Sequence, residues 1–464
     1  MIETTESRDV LATIERDRQR YLDELRDYLR IPSISTDPEY AGDVARCAAF
    51  LRDRMEEAGL SAEILPTAGH PLVYAERFES PQLPTVLFYG HYDVQPADPL
   101  EEWRHDPFDP TLEDGRLVAR GATDDKGQSY AHVKAVEALL ASRGRLPANV
   151  KFLVEGEEES GGAAIERFVR EDGGERLACD CVVISDSSMY APGQPAMVIG
   201  LRGMAYMELE VRGPERDLHS GTYGGAVANP LNALAEILAS LKDPATGRVA
   251  IAGFYDDVRP LDPEERRELA QLPFDEEAYE ADLGVDALPG EEGYSPLERV
   301  AVRPTCDVHG IWGGYSGPGA KTVIPARGAA KVSMRLVPDQ RPERVAKLFA
   351  DHVRRHTPPG VTAEVVELHR GEGVVLATEG PYVEAAMASL QEVWGAPPVR
   401  VREGGSIPVV NTFDQVLGVP VLLMGFGLPD DRLHSPNEKI DLAQFYGGIH
   451  CTVRFLDRVG ELAE

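Results

Sequence analysis

Residues 88–96, FYGHYDVQP, decide how this chain is read. The apolar run Val86-Leu87-Phe88-Tyr89 has the unbroken hydrophobicity of a buried strand and stops at Gly90. His91 and Asp93 follow, two residues apart, and on an extended chain such residues share one face. A strand that runs into a polar turn accounts for the backbone alone. A strand that ends in a metal site accounts for the side chains as well. The choice depends on whether other segments end in the same way.

They do. NVKFLVEGEEES predicts a strand over 149–155 that breaks into an acidic turn at Gly156, and CDCVVISDSS predicts another that ends in Asp186. GATDDKG places Asp124 and Asp125 just before a helix that starts near Lys126. With helices over 11–30 and 43–59 and strands over 61–65, 71–76 and 84–90, the pattern is α/β, a largely parallel sheet flanked by helices. In such sheets functional groups collect at the carboxyl ends of the strands. The middle of the chain differs. Strand signals at 197–213, a helix at 229–242, a strand pair within 321–338, a helix at 341–355 and a strand at 361–369 describe an inserted α+β unit. We therefore expect a discontinuous catalytic domain, 1–197 with 374–464, and a lid or dimerisation domain over 198–373. Residues 255–300, acidic and rich in Pro and Gly, are expected to belong to the lid.

Composition narrows the function. The chain has 464 residues, 43% of them hydrophobic, and contains no apolar run of the roughly 18 residues a membrane helix needs. The opening MIETTESRDV has neither the basic flank nor the apolar centre of a signal peptide. Its five cysteines form no CxxC pair, so reduced thiols and a cytoplasmic location are expected. A net charge of −31, from 78 acidic and 47 basic residues, disfavours nucleic acid as a partner. No membrane partner is expected either.

Taken singly, the polar groups beyond the strands have plain explanations. Asp124 and Asp125 suit a helix cap, Glu157-Glu158-Glu159 a solvated turn, Asp186 a turn and His434 the surface. Their recurrence at strand ends is the argument for chemistry. Carboxylates gathered at one end of a sheet repel unless a cation compensates them, and a mixed His/Asp/Glu set suits zinc or manganese. His91, Asp124, Glu159, Asp186 and His434 are enough ligands for two ions that share a carboxylate. Glu158 is left beside them, placed to act as a general base.

At this point the residues carry a resemblance. GHYDVQP, GATDDKG, EGEEESG, ISDSS, DLHSGTYGG, GPGAKTVIP, MRLVP, REGGSIPV and HSPNEK run in order from residue 90 to 439. Together they resemble the family of two-metal peptidases and amidohydrolases that contains carnosinases, cytosolic nonspecific dipeptidase, aminoacylase, acetylornithine deacetylase, succinyl-diaminopimelate desuccinylase and carboxypeptidase G. The similarity is greatest to the carnosinase-like dipeptidase branch, which Asp at 186 matches. The resemblance implies that His91 binds one metal and His434 the other. Asp124 would bridge both, across a cis peptide bond to Asp125, with Glu159 and Asp186 completing the sites. Asp93 would orient His91, and Glu158 would be the catalytic base. It also implies a homodimer in which His219 reaches the partner's site to hold the oxyanion. Thr322, Arg335, His369 and Ser406 would grip the substrate, although LHRGEG around His369 departs from the family's run. Arg335 suits a carboxylate because guanidinium binds it through two parallel hydrogen bonds.

The expected activity is hydrolysis of dipeptides with two divalent ions per subunit, zinc foremost and manganese second. The alternative within the family is a deacylase of small N-acyl amino acids, and a more remote one is a metal-binding protein without catalysis. Two other motifs fail. GGYSGPGAKT lacks the glycine a phosphate loop carries before its lysine, and GGS at 404–406 is not a nucleophile elbow.

Overall fold

The computed structural model describes residues 5–404 and 407–463. Compactness divides the chain into two units, each described by itself. The first comprises the chain up to Ile199, Leu376–Val401 and the chain from Ile407 onward; the second comprises Gly200–Val375 and the short stretch that begins at Arg402.

The first unit is built on a mixed sheet. Its strands run in the order Ser61–Leu65, Leu72–Arg77, Asn149–Glu155, Thr85–His91, Cys181–Ile184, Val421–Leu423 and Ala196–Leu201. The four central strands, from Asn149–Glu155 to Val421–Leu423, are mutually parallel, and their flanking neighbours pair antiparallel. Helices cover both faces of such a sheet, which is why its strands read as continuous apolar runs rather than alternating ones. Helix Lys126–Arg143 packs against Thr85–His91 on one side and against helices Thr5–Leu29 and Leu442–Glu461 on the other. Helix Ala41–Glu57 buries Val44, Cys47, Ala48, Leu51 and Met55, the spacing of a single apolar face.

Asp125 occupies the N-cap position of Lys126–Arg143, but its side chain caps nothing. Its Oδ2 instead accepts from the His91 amide at 3.2 Å, so the capping explanation fails for this residue. Gly90 is what permits that contact, because a Cβ there would lie 2.6 Å from the same oxygen. The Asp124–Asp125 peptide bond is cis.

The second unit is an antiparallel sheet ordered Asp307–Gly313, Arg327–Leu336, Gly203–Arg212, Thr362–Gly371. Ala205, Met207, Leu209 and Val211 alternate along one strand and are buried with Val332, Met334 and helices Pro230–Ala239 and Pro342–His356. The segment 197–213 is two strands broken at Arg202 rather than one. The two strands of 321–338 do not pair with each other. Val323–Ile324 pairs with Leu218–His219, and Pro325, without an amide proton, separates it from Arg327–Leu336.

Residues 255–300 hold two short helices, Pro263–Gln271 and Glu276–Leu283, and the start of a third, Pro296–Val302. Much of this segment's acidity now has a local cause. Asp262, Asp275 and Ser295 are N-caps, and Glu264, Glu265, Glu276 and Glu277 occupy first turns, where the helix dipole favours negative charge. No helix among the described residues is long and apolar enough to cross a membrane.

Candidate metal centre

Strand Thr85–His91 is central and buried, and its last residue, His91, is fully buried at the carboxyl edge of the sheet. The parallel neighbours end at the same edge. Asn149–Glu155 runs on to the turn Glu158–Ser160, and Cys181–Ile184 ends two residues before Asp186. Asp124 precedes helix Lys126–Arg143, and His434 lies in the loop before strand Lys439–Asp441.

These side chains converge. His91 Nε2 lies 3.1 Å from Asp124 Oδ1 and 3.9 Å from Asp186 Oδ2. His434 Nε2 lies 3.0 Å from Asp124 Oδ2 and 3.5 Å from Glu159 Oε2. Two ligand groups result, His91 with Asp124 and Asp186, and Asp124 with Glu159 and His434, the candidate atoms of each lying within 4.8 Å of one another. Asp124 belongs to both and turns a different oxygen to each.

Asp93 works on two neighbours. Its backbone carbonyl is 3.0 Å and its carboxylate 3.5 Å from His91 Nδ1, which orients the ring with Nε2 towards Asp124. Its two carboxylate oxygens also accept from the amides of Glu158 (3.3 Å) and Glu159 (3.1 Å), tying the acidic turn to the strand end. Ser35 Oγ donates to the same carboxylate at 2.6 Å. Gln95, which the motif reading passed over, donates to Glu159 Oε2 at 2.7 Å. A polar side chain inside the quoted GHYDVQP stretch was the available signal.

The electrostatics fit a divalent ion. Burial, reinforced by the charge of Asp124, pushes Glu159 up to about 8 and Asp186 up to about 6. Glu158 is driven well above the carboxylate range by burial and by the charges of Asp186 and Glu159. Burial would raise Asp124 too, but hydrogen bonds from His434 and His91 hold it low. His434 rises to about 9 chiefly through its hydrogen bond to Asp124. Burial pulls His91 down, and the hydrogen bonds to Asp124 and Asp93 more than reverse this. So many acids around two imidazoles are the donor set of a divalent cation, whose charge offsets their repulsion.

A pH dependence follows for the metal-free chain. Glu159, Asp186 and His434 hold their protons more tightly when folded, so the folded state binds more protons than the unfolded one between the ordinary carboxylate range and about 9. Stability of the chelator-treated protein should therefore fall as pH rises from 6 to about 8.5. Saturating metal should flatten the trend, because ligation replaces the protons. Melting curves at the two pH values, with and without metal, test this; a metal-free chain that gains stability over that range contradicts it.

The remaining candidates lie in the second unit, in two pairs. His219 and Thr322 are neighbours across the Leu218–His219/Val323–Ile324 ladder, with the Ser220 amide donating to the Thr322 carbonyl at 3.1 Å. Arg335 and His369 flank strand Gly203–Arg212 from either side, opposite Met204 and Tyr206 respectively. Burial lowers Arg335, opposed by Asp307. Ser406 lies outside the described residues.

Comparison with known proteins gives a consistent picture. The sequence profile of Peptidase family M20/M25/M40 matches residues 87–458. Over 465 residues the chain is 34% identical to the Cys-Gly metallodipeptidase dug1 of Schizosaccharomyces pombe, covering 97% of each chain. The crystal structure of human carnosine dipeptidase 1 superposes with a TM-score of 0.89 at 31% identity, covering 99% of this chain and 100% of that one. The metallo-carboxypeptidase Sso-CP2 of Sulfolobus solfataricus superposes with a TM-score of 0.86 at 35% identity, covering 95% and 99%.

Proposed function

This chain belongs to Peptidase family M20/M25/M40, and we propose that it is a metal-dependent dipeptidase whose two divalent ions share Asp124. The observation that carries the two-ion reading is the division of Asp124, with Oδ1 at 3.1 Å from His91 and Oδ2 at 3.0 Å from His434. His91 and Asp186 would hold one ion and Glu159 and His434 the other, zinc first and manganese second. Divalent metal held by these residues would supply a bound water of lowered pKa and a Lewis acid for the scissile carbonyl.

Glu158 takes the proton of the attacking water and passes it to the leaving amine. Asp93 fixes the His91 ring and the backbone of the Glu158–Glu159 turn together. Arg335, with Thr322, His369 and Ser406, receives the substrate's terminal carboxylate, and a guanidinium pairs with it through two hydrogen bonds. His219 supplies the oxyanion donor to the site of a second copy. Its Nδ1 accepts from the Gly221 amide at 3.0 Å, so a neutral ring carries its proton on Nε2 and can donate there. His219 is exposed in the single chain, as a residue that acts across an interface would be.

The homodimer draws support from edge strand Asp307–Gly313, which exposes Val308, Ile311 and Trp312 beside an open row of backbone groups. In this proposal residues 1–197 and 374–464 form the catalytic domain and 198–373 the lid and dimerisation domain. The cysteines Cys47, Cys179, Cys181, Cys306 and Cys451 are all free, which suits a reducing cytoplasm. The acidic surface makes nucleic acid an unsuitable partner, and no membrane partner is proposed.

A second reading, removal of the C-terminal residue from longer peptides, is favoured by the similarity to the Sulfolobus carboxypeptidase. One panel separates the readings: Ala-Gly, Cys-Gly, carnosine, Ala-Gly amide, Ala-Gly-Gly and N-acetylalanine, each with zinc and with manganese. We expect the free dipeptides to be cleaved fastest, with the amide at least tenfold slower because it lacks the carboxylate, a charge-assisted contact being worth about 1.5–3 kcal/mol. Faster cleavage of Ala-Gly-Gly establishes the carboxypeptidase reading, and faster cleavage of N-acetylalanine the deacylase. No turnover of any compound by the fully metal-loaded protein rejects hydrolysis.

A further inference from the structure

The chemistry above gives no task to the buried carboxylate of Glu438. Glu438 is fully buried, four residues beyond His434. Its Oε1 accepts from the amides of Thr123 at 3.0 Å and Asp124 at 3.1 Å. Its Oε2 accepts from the Gly121 amide at 2.9 Å and from the buried Arg120 guanidinium at 2.8 Å. The turn that carries Asp124 is thus wrapped around a single side chain.

The segment that supplies this side chain also carries His434. Strands Arg116–Val118 and Lys439–Asp441 pair antiparallel, and the Ala119 amide donates to the Glu438 carbonyl at 3.0 Å, so the two ligand loops leave the same short ladder. Before His434 the loop is tied again. Asp431, also fully buried, accepts from the Thr123 hydroxyl at 2.9 Å, the Leu428 amide at 2.7 Å and Lys439 Nζ at 2.7 Å. Between these two ties Arg432, His434 and Asn437 have φ of +59°, +58° and +64°. Residues other than glycine hold that left-handed conformation only where the surroundings impose it.

We propose that Glu438 is a positioning residue for the metal centre: it sets the backbone of Asp124 and the base of the His434 loop against each other, and Asp431 closes the same frame from the other end. The inference rests on Asp124 and His434 being ligands. It also accounts for the residue type. Four donors point at two oxygens, and a glutamine would offer one oxygen and one NH2 group. In either orientation that NH2 faces two donors, so even an isosteric replacement opens the frame.

The test is Glu438→Gln in the full chain, stripped of metal and titrated with zinc against a chromophoric chelator, and separately loaded with cobalt(II) for its visible spectrum. We expect the variant to bind zinc about 10–100-fold more weakly, the range for partners that orient metal ligands, and to show altered cobalt bands. Glu291→Gln is the comparison, because Glu291 is a buried acid paired with Arg303 and Arg248 in the second unit. It should lower the melting temperature and leave zinc affinity unchanged. Zinc affinity in Glu438→Gln equal to that of the parent, or a loss matched by Glu291→Gln, overturns the proposal. If Glu438→Gln does not fold, Thr123→Val decides. It removes only the hydroxyl that joins the turn to Asp431, and unchanged zinc affinity there counts against the frame. A parent chain that binds no zinc removes the ligand reading itself and the inference with it, an outcome distinct from a parent that binds and a variant that binds equally.

Discussion

Glu158→Ala is expected to lower kcat by roughly 10²–10⁴-fold, the usual worth of a positioned general base, while metal content stays at the parent's level. Glu158 belongs to neither ligand group, whereas its neighbour Glu159 belongs to the second. The amides of Glu158 and Glu159 are held by Asp93, so truncating the Glu158 side chain leaves the turn's anchor in place. Burial and the charges of Asp186 and Glu159 raise the Glu158 carboxyl strongly, and divalent cations in the neighbouring ligand groups would draw it back towards a value at which it can both accept and return a proton. KM should change little, because the alanine removes a group used at the reacting centre and no contact with the substrate's ends. Steady-state kinetics paired with elemental analysis distinguish the outcomes. A variant that loses one metal identifies Glu158 as a ligand, and one with near-normal turnover rules it out as the base.

Different parts of this centre were legible in the sequence to different degrees, for physical reasons. The central strands are largely buried on both faces, so VLFY, FLV and CVVI stood out as unbroken apolar runs, and the polar residues after them marked strand ends. His91, Glu159 and Asp186 could be placed in that way. Asp124 and His434 were grouped with them as lying beyond strand ends, but neither ends a strand of the main sheet: Asp124 precedes helix Lys126–Arg143, and His434 lies in the loop before Lys439–Asp441. Strand Asp307–Gly313 went unread because it is exposed along almost its whole length and carries glycines at 310 and 313, so its sequence shows no apolar alternation. Asp125 looked like a helix cap because local sequence encodes caps, yet its carboxylate is used by the His91 amide, 34 positions away. The role of Glu438 is further from reach, since its contact with the Asp124 amide spans 314 residues and only the folded chain brings the two together.

The second large effect concerns His219. His219→Ala alone should lower kcat about 10²–10³-fold, the cost of removing one oxyanion donor. Mixing this inactive chain with inactive Glu158→Ala chains should restore turnover. In a mixed dimer one site takes its base from the His219→Ala chain and its histidine from the Glu158→Ala chain, and is therefore complete; the other site lacks both. Random reassortment at equal concentrations makes about half the dimers mixed, each with one intact site of two, so recovery should approach about a quarter of the parent rate. Reassortment has to be driven, for instance by co-expression with two affinity tags, and the doubly tagged fraction should carry all the regained activity. If that fraction is as inactive as its components, the histidine does not act across the interface. If His219→Ala alone keeps normal kcat, it is not the oxyanion donor at all. The exposed ring, with Nδ1 occupied by the Gly221 amide and Nε2 left to donate, is the arrangement that a site completed by a second chain requires.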